Sequence, residues 1–516
     1  MTEPLHDLLR EPMFGVEYPD GATARLSLSG VLAALARGEL IEFTALRAHQ
    51  EHAWFAFLVQ LGALVVDRTG SSLPTDETAW NSALLELMGG VREAWCLVVD
   101  DLAKPAFMQP PPKGLTRKDY GDGMTTPDAS PLDVLVTSRR YDVRPERVKR
   151  ATPEHWAYAL VTLQTVQGFS GRGNYGVARM KGGYGNRSCI ARAPGVRMGQ
   201  RFARDVAVWV EQREAMLDRF PYRPSGGHAL LWTVPWAGGK EETLEHRSLD
   251  PFFVEVCRVV RIFVEGGVLM ACYSPTEGPR VRASNEGDTG DIWTWVAGTE
   301  TPDVFTVGPS GWNYQRLCEI LFEAANGAPA LQARPEDGKA PLFYGHALVR
   351  GQGKTEGLHV RAIPVAPDIV PKLADEKERV RIANLAKGRV DYAAIVRTKV
   401  LLPAIGMLLN AGEKRTGAPK RDERPTRWTS AFDARVDRDF FEALWRAVSA
   451  ADVEAPTLAW KRELRDEALA LFEDAARTVP IPSARRVKAR AQARNLFEGC
   501  ARKFLKDLYP QQGEAT

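Results

Sequence analysis

Cysteine is scarce in this sequence and never clustered. Cys96, Cys189, Cys257, Cys272, Cys318 and Cys500 stand far apart, with no CxxC pair. That spacing excludes a zinc ribbon and a disulfide scaffold, and it suits a reducing cytoplasm. No apolar run reaches about 18 residues, so no membrane span is expected. The start, Met1-Thr-Glu-Pro-Leu-His, lacks a basic region followed by an apolar one, so no secretory signal is expected either. Charge of one sign is also not in excess: 68 Lys and Arg face 65 Asp and Glu, a net +3. Any basic surface must therefore be local. There is no repeat of fixed period and no low-complexity tract.

What is present is a long globular chain. Its 516 residues, 44% of them hydrophobic, suffice for a large core and two or more domains. Residues 1–30 alternate short apolar groups with turns, as small strands do, and Ser29 is positioned to start a first helix. Leu46, Trp54, Phe57, Leu58, Leu61 and Leu64 recur at helical spacing and predict a core helix over Thr44 to Val66. A second helix is expected from Thr75 to Val91, and a third from Pro153 to Gln167. Between them, Lys104-Pro-Ala-Phe-Met-Gln-Pro-Pro-Pro-Lys113 is too rich in proline for a helix. The middle third, with Val259-Val-Arg-Ile-Phe-Val264 and Trp293-Thr-Trp-Val296, predicts strands. Beyond Pro364, Pro367 and Pro371 the composition turns to Ala, Leu, Arg and Glu. Helical segments are read there at 373–411, 428–450, 456–478 and 483–508. The fold class is thus α+β: a mixed α/β domain over 1–366, then a C-terminal four-helix bundle over 367–516. In the last helix Phe497, Cys500, Phe504 and Leu508 are the expected buried stripe.

Gly168-Phe-Ser-Gly-Arg-Gly-Asn-Tyr-Gly176, continued by Lys181, Gly182, Gly183 and Gly185, holds more glycine than a turn needs. Such a segment brings bare backbone close to a partner. The interleaved Arg172, Arg179, Lys181 and Arg187 make that partner anionic. Gly171-Arg-Gly173-Asn-Tyr-Gly176 is a literal GxGxxG, yet a helix precedes it and no acidic residue follows at the right distance, so a dinucleotide site is disfavoured. Gly351-Gln-Gly353-Lys354-Thr355 resembles the end of a phosphate loop, but Leu348 stands where its first glycine belongs and the next segment reads as a strand. What remains is a polar tip flanked by Arg350 and Lys354, with Gln352 at its apex. Arg139, Arg140, Arg144, Arg147, Lys149 and Arg150 form a basic run upstream of the glycine segment. Over 481–506 the last helix carries Arg485, Arg486, Lys488, Arg490, Arg494, Arg502, Lys503 and Lys506 against Glu498 alone. His49 and His52 lack the carboxylate cluster of a metal site and read as a satisfied or solvent-facing pair. No nucleophile and base arrangement emerges, and no metal or cofactor is expected.

Taken in order, Phe107-Met-Gln109 after a proline, Gly168-Phe-Ser-Gly-Arg-Gly and the Arg350-Gly-Gln-Gly-Lys354 tip, with a helical bundle behind an α/β domain, resemble the large subunit of the type I-E CRISPR Cascade surveillance complex. The resemblance implies a non-enzymatic cytoplasmic subunit that binds the protospacer-adjacent motif of foreign duplex DNA through the minor groove and helps to open it. It implies a groove-reading loop at Ser170, Gly171, Arg172 and Gly173. It implies a wedge at Gly351, Gln352 and Gly353 and a groove cation at Arg280 or Arg282; by their place beside the two loops, Arg139, Arg140, Arg350 and Lys354 are expected to add phosphate or groove contacts. Implied partners are the guide RNA particle with the other Cascade subunits, a small subunit on the bundle, and a helicase-nuclease. Some members carry a cysteine-rich metal insertion; Cys257 and Cys272 stand alone, so no structural zinc is expected. Two other classes compete: a nucleotide-binding or NTP-hydrolysing enzyme using Gly351 to Thr355, and an architectural subunit whose loops only hold RNA.

Overall fold

The computed structural model describes residues 3–112, 114, 116, 120, 126–133, 151–180, 187–282, 287–297, 303–308, 310–323, 342–351, 354–413 and 424–509. Two compact units divide the chain, Met1–Trp312 with Asn326–Pro364 and Asn313–Ala325 with Val365–Thr516. The segment Asn313–Ala325 thus clusters with the C-terminal helices, although it precedes the last strands of the first unit.

In the first unit, Phe14–Glu17 pairs antiparallel with Thr23–Leu26 and with Glu42–Phe43. Helix α1 (Leu28–Ala36) is capped earlier than expected. Ser27, not Ser29, is the cap, its hydroxyl accepting from the Gly30 amide at 3.0 Å, and Ser29 is buried inside the helix. Helix α2 (Glu51–Thr69) is buried from His52 to Val65 and ends on Gly70 at φ +62°. A helix apolar all round belongs at the centre of a core. Around it pack α3 (Glu77–Leu87), α4 (Pro153–Val166) and α5 (Met198–Glu211). Trp54 meets Phe14 at 5.1 Å and Tyr158 at 4.9 Å between ring centroids. Phe107 packs against Trp232 at 6.0 Å. Gln109 is wholly buried, donating to Leu97 O at 2.9 Å and accepting from the Ile262 amide at 2.7 Å.

The strands that matter for function are β1 (Arg187–Ala193), β2 (Leu249–Val254), β3 (Val259–Glu265), β4 (Val268–Ser274), β5 (Leu342–Gly351) and β6 (Lys354–Pro364). β3 and β4 form a hairpin across Gly266 and Gly267, both at positive φ. β6, β5 and β1 form an antiparallel sheet in that order, with Leu348 opposite Arg187 and Gly351 opposite Lys354. One face of β5 is tied to the helices. His346 stacks on His52 at 5.2 Å, and the Arg201 guanidinium lies between the rings of Phe55 and Tyr344 at 4.1 and 4.5 Å. On the other face the Trp312 ring fills the space at Gly345, where an added Cβ would be 2.9 Å away.

The C-terminal unit contains α6 (Tyr314–Cys318), α7 (Glu376–Ile395), α8 (Leu402–Leu409), α9 (Thr426–Ser449), α10 (Glu454–Thr478) and α11 (Ser483–Phe504). A wider turn, Val396–Leu401, joins α7 to α8 just before Pro403, whose missing amide interrupts the helical ladder. The span Glu376–Leu409 holds an 18-residue window of mean hydropathy 1.5, apolar enough by composition to cross a membrane. Here it packs within the bundle and carries Arg397, paired with Asp433 at 2.9 Å. Phe432, Val436, Phe440 and Leu444 line α9 at helical spacing. The stripe of α11 differs from expectation: Ala489, Ala493, Phe497 and Ala501 are buried, while Phe504 is exposed and Cys500 half-buried. Alanines at successive turns let this helix lie close to its neighbours, so the large residues near its end are not needed for the contact.

Candidate nucleic-acid interface

The glycine loop leaves the end of α4 and folds back on itself. The Ser170 amide donates to Asn174 O, and the Asn174 amide to Gly171 O, both at 2.9 Å. At the base the Val177 amide donates to Gln167 O at 2.9 Å. Gly171 sits at φ +108° with no atom within 4 Å of where a Cβ would stand, so its backbone faces open space. Gly173, at φ +85°, is held against Pro275, and its carbonyl accepts from the Thr276 amide at 3.0 Å. Glycine is required for two distinct reasons here, positive φ in one place and close approach in another. Arg172 is exposed beside them.

A cleft of about 130 Å³ lies next to the loop, lined by Ser170, Asn174, Gln167, Leu163, Arg258 and Tyr273 among others. Arg258 carries much of this geometry and was not singled out from sequence. Its Nη2 donates to Gly168 O at 3.4 Å and its Nη1 to Tyr175 O. The available signal was a cation abutting the apolar run Val259-Val260, but its partners lie about 90 positions upstream and nothing local names them.

The predicted cations separate by burial. Arg179 is 2% exposed, donates to Phe253 O at 2.9 Å and lies 4.3 Å over the Phe253 ring. Arg280 is equally buried, donates to Glu242 O at 2.8 Å, and burial lowers its pKa to about 10. Both hold the core and are removed from the contact surface. Arg282, two residues on, is exposed, at a short pairing of Val281–Arg282 with Leu244–Glu245. Arg139, Arg140, Lys181, Gln352 and Gly353 lie outside the described residues.

The Gly351 tip is the end of a hairpin. Arg350 pairs with Thr355 and Gly351 with Lys354, after a register shift at Val349. Because β6 starts at Lys354 and runs to Pro364, the Gly-Gln-Gly-Lys-Thr stretch opens onto a strand and not onto a helix N-terminus. A phosphate loop needs the helix, whose free amides and dipole receive the anion. Gly351 stands roughly 10 Å beyond the pair of Leu348 with Arg187, at about 3.3 Å per residue. The chain enters β1 at that same end of the sheet, coming from the glycine loop. From Met180 to Arg187 it spans at most about 25 Å. The hairpin tip and the start of β1 therefore lie at one end of one sheet.

A scan against protein-family models and a search of curated proteins find no match. Solved structures do match, over nearly the whole chain. CRISPR-associated protein Cse1 from Acidimicrobium ferrooxidans superposes with a TM-score of 0.64 at 14% identity, covering 99% of this chain and 100% of its own. A crystal structure of CasA from Thermus thermophilus gives 0.63 at 17% identity, with 97% and 100% covered. The chain has the Cse1 fold. A chain of a structure described as a CRISPR RNA-guided surveillance complex matches too, at 0.56 and 13% identity over 96% of this chain and 100% of its own.

Within this Cse1 fold the histidine cluster is buried. His49 donates to Asp133 at 2.9 Å, and Gln50 to the same carboxylate at 2.6 Å. With His52 stacked on His346, both histidines are buried and not solvent-facing, and His49 stands in the turn before α2 begins at Glu51. Among the described residues no group of three or more His, Cys, Asp or Glu is placed to hold a metal ion. On α11, Arg485 pairs with Glu413, and Arg494 with Glu473 and Glu498, which leaves Arg486, Lys488, Arg490, Arg502 and Lys503 as its exposed cations without an ion pair among the described residues.

Proposed function

We propose that this chain is the non-catalytic large subunit of an RNA-guided type I-E Cascade complex. In this reading the glycine loop inspects the protospacer-adjacent motif of foreign duplex DNA from the minor groove, and the Gly351-Gln352-Gly353 tip wedges into the duplex beside it. Arg282, Arg350 and Lys354, with Arg139 and Arg140, contact phosphates or the groove. The observation that carries the reading is the likeness to Cse1 and CasA along nearly the full length of both chains, together with bare backbone at Gly171.

Physical chemistry supports the division of labour. The minor groove chiefly separates A·T from G·C, so a reader made of backbone tolerates several related motifs. Stacking holds the duplex by about 1.4 kcal/mol per step, which the growing RNA–DNA heteroduplex roughly offsets. The wedge has only to assist the first step or two, and one neutral side chain suffices for that. The exposed cations of α11 contact the small subunit or nearby nucleic acid, and the opened DNA is passed to a helicase-nuclease.

The test is purification of the chain together with the products of its neighbouring genes. A small RNA of uniform length and several protein subunits should copurify. Recovery of the chain alone, with nucleotide hydrolysis that depends on Lys354, would sink the proposal.

A further inference from the structure

We propose that Arg258 is the positioning residue of the glycine loop, holding the backbone of Gly171-Arg172-Gly173 in the geometry that tells one motif from another. This rests on the reading of the loop as a groove reader and names the side chain that makes it one.

Arg258 is 4% exposed and stands between β2 and β3. The carbonyls it holds, Gly168 O at 3.4 Å and Tyr175 O, lie at the two ends of the loop, so a single planar group closes its neck. Nη1 also donates to Cys257 O at 3.0 Å. Gln164 aims the arginine: its Oε1 accepts from the Cys257 and Arg258 amides, both at 2.8 Å, and its Nε2 donates to Arg258 O at 3.0 Å. Gln164 belongs to α4, the helix from which the loop emerges. The last turn of that helix therefore fixes both where the loop starts and what shuts it.

The guanidinium suits this task because its donors form a rigid fork, whereas an ammonium is a point charge on a flexible stem. Phosphate contacts give affinity without sequence information, and discrimination depends on where groups stand relative to base edges. A loop released at its neck still touches DNA, but it samples many placements and loses its preference.

The experiment uses the assembled complex carrying Arg258→Lys, Arg258→Met or Gly171→Asp. Each is measured on a duplex library with randomised motif positions and on a target whose strands are already parted. Both Arg258 variants should lower the ratio of preferred to scrambled motif affinity by about tenfold or more. Binding to the parted target should be unchanged, and the Ser170 and Asn174 amides should exchange hydrogen faster. An unaltered ratio in both Arg258 variants overturns the proposal, provided Gly171→Asp abolishes it. If Gly171→Asp also leaves the ratio intact, the groove-reading role of the loop is what fails. Loss of parted-target binding together with faster exchange throughout the domain would make Arg258 a core residue and equally overturn the positioning role.

Discussion

Gly176 packs so closely on Gly168 that an added Cβ would lie 2.6 Å from the Gly168 carbonyl carbon. Within the neck that Arg258 bridges, backbone also packs against backbone here, and no side chain fits at Gly176 without opening it. Gly176→Ala is expected to abolish motif-dependent duplex binding while parted DNA still binds. Hydrogen exchange should show the change confined to residues 168–177. Wild-type discrimination in Gly176→Ala would show that the neck is not needed.

At Gly171 the logic is different, since nothing stands within 4 Å of a Cβ there. The cost of Gly171→Asp comes from φ +108°, which non-glycine residues rarely adopt, and from a carboxylate facing phosphates. Motif-dependent affinity should fall by at least about tenfold, with protein stability lowered by only about 1–2 kcal/mol. A filter-binding titration at two salt concentrations separates the two contributions, because the electrostatic share grows at low salt.

Gln352→Ala is expected to slow opening of linear target DNA more than it weakens first binding. A fluorescent base next to the motif reports strand separation directly. Equal opening rates would remove the wedge role from this residue.

Much of this was legible beforehand, and the reasons for the exceptions are physical. The C-terminal helices follow from the turn to Ala, Leu, Arg and Glu after three prolines, and β6 from the strand read after the Gly351–Thr355 stretch. Arg280 and Arg282 could not be told apart because alternation on so short a strand gives no indication of which face is buried. The α11 stripe was misassigned because large residues attract attention, whereas close helix contact favours alanine. Arg258 escaped notice because its partners are main-chain oxygens, and every residue has one.

Asp205 and His246 should pull stability in opposite directions below neutral pH. Burial pushes the Asp205 carboxyl up to about 6, against the pull of Arg201 and Arg204. The folded protein then holds a proton that the unfolded chain releases near 3.8, so this group adds stability as the pH falls from about 6 towards 4. His246 is lowered to about 4, first by burial and then by Arg179. The unfolded chain takes up that proton near 6.5, so stability is lost as the pH falls from there towards 4. In urea unfolding between pH 4 and 7, Asp205→Asn should steepen the acid loss and His246→Phe should flatten it. Parallel curves for both variants and the parent would contradict these environments.

Arg389 lies 2% exposed in the bundle, 4.7 Å over the Trp460 ring, and none of its three guanidinium nitrogens has a hydrogen-bond partner among the described residues. Burial lowers its pKa to about 10, so it stays charged at neutral pH. Arg389→Met should keep the packing on Trp460 and stabilise the chain by about 1–2 kcal/mol. Destabilisation in thermal unfolding would mean that the cation contributes more through the ring than its desolvation costs.

Arg258 is not alone in closing on main-chain oxygens. Arg179 holds Phe253 O, Arg261 holds Val99 O and Lys104 O, and Arg280 holds Glu242 O. A carbonyl is offered by any residue, so the grip itself asks nothing of the side chains it holds, whereas Gly171, Gly173 and Gly176 are fixed by conformation and packing. On the proposed reading, substitutions at the remaining positions between two arginine grips would alter which DNA the loop admits while the scaffold that presents it stays the same.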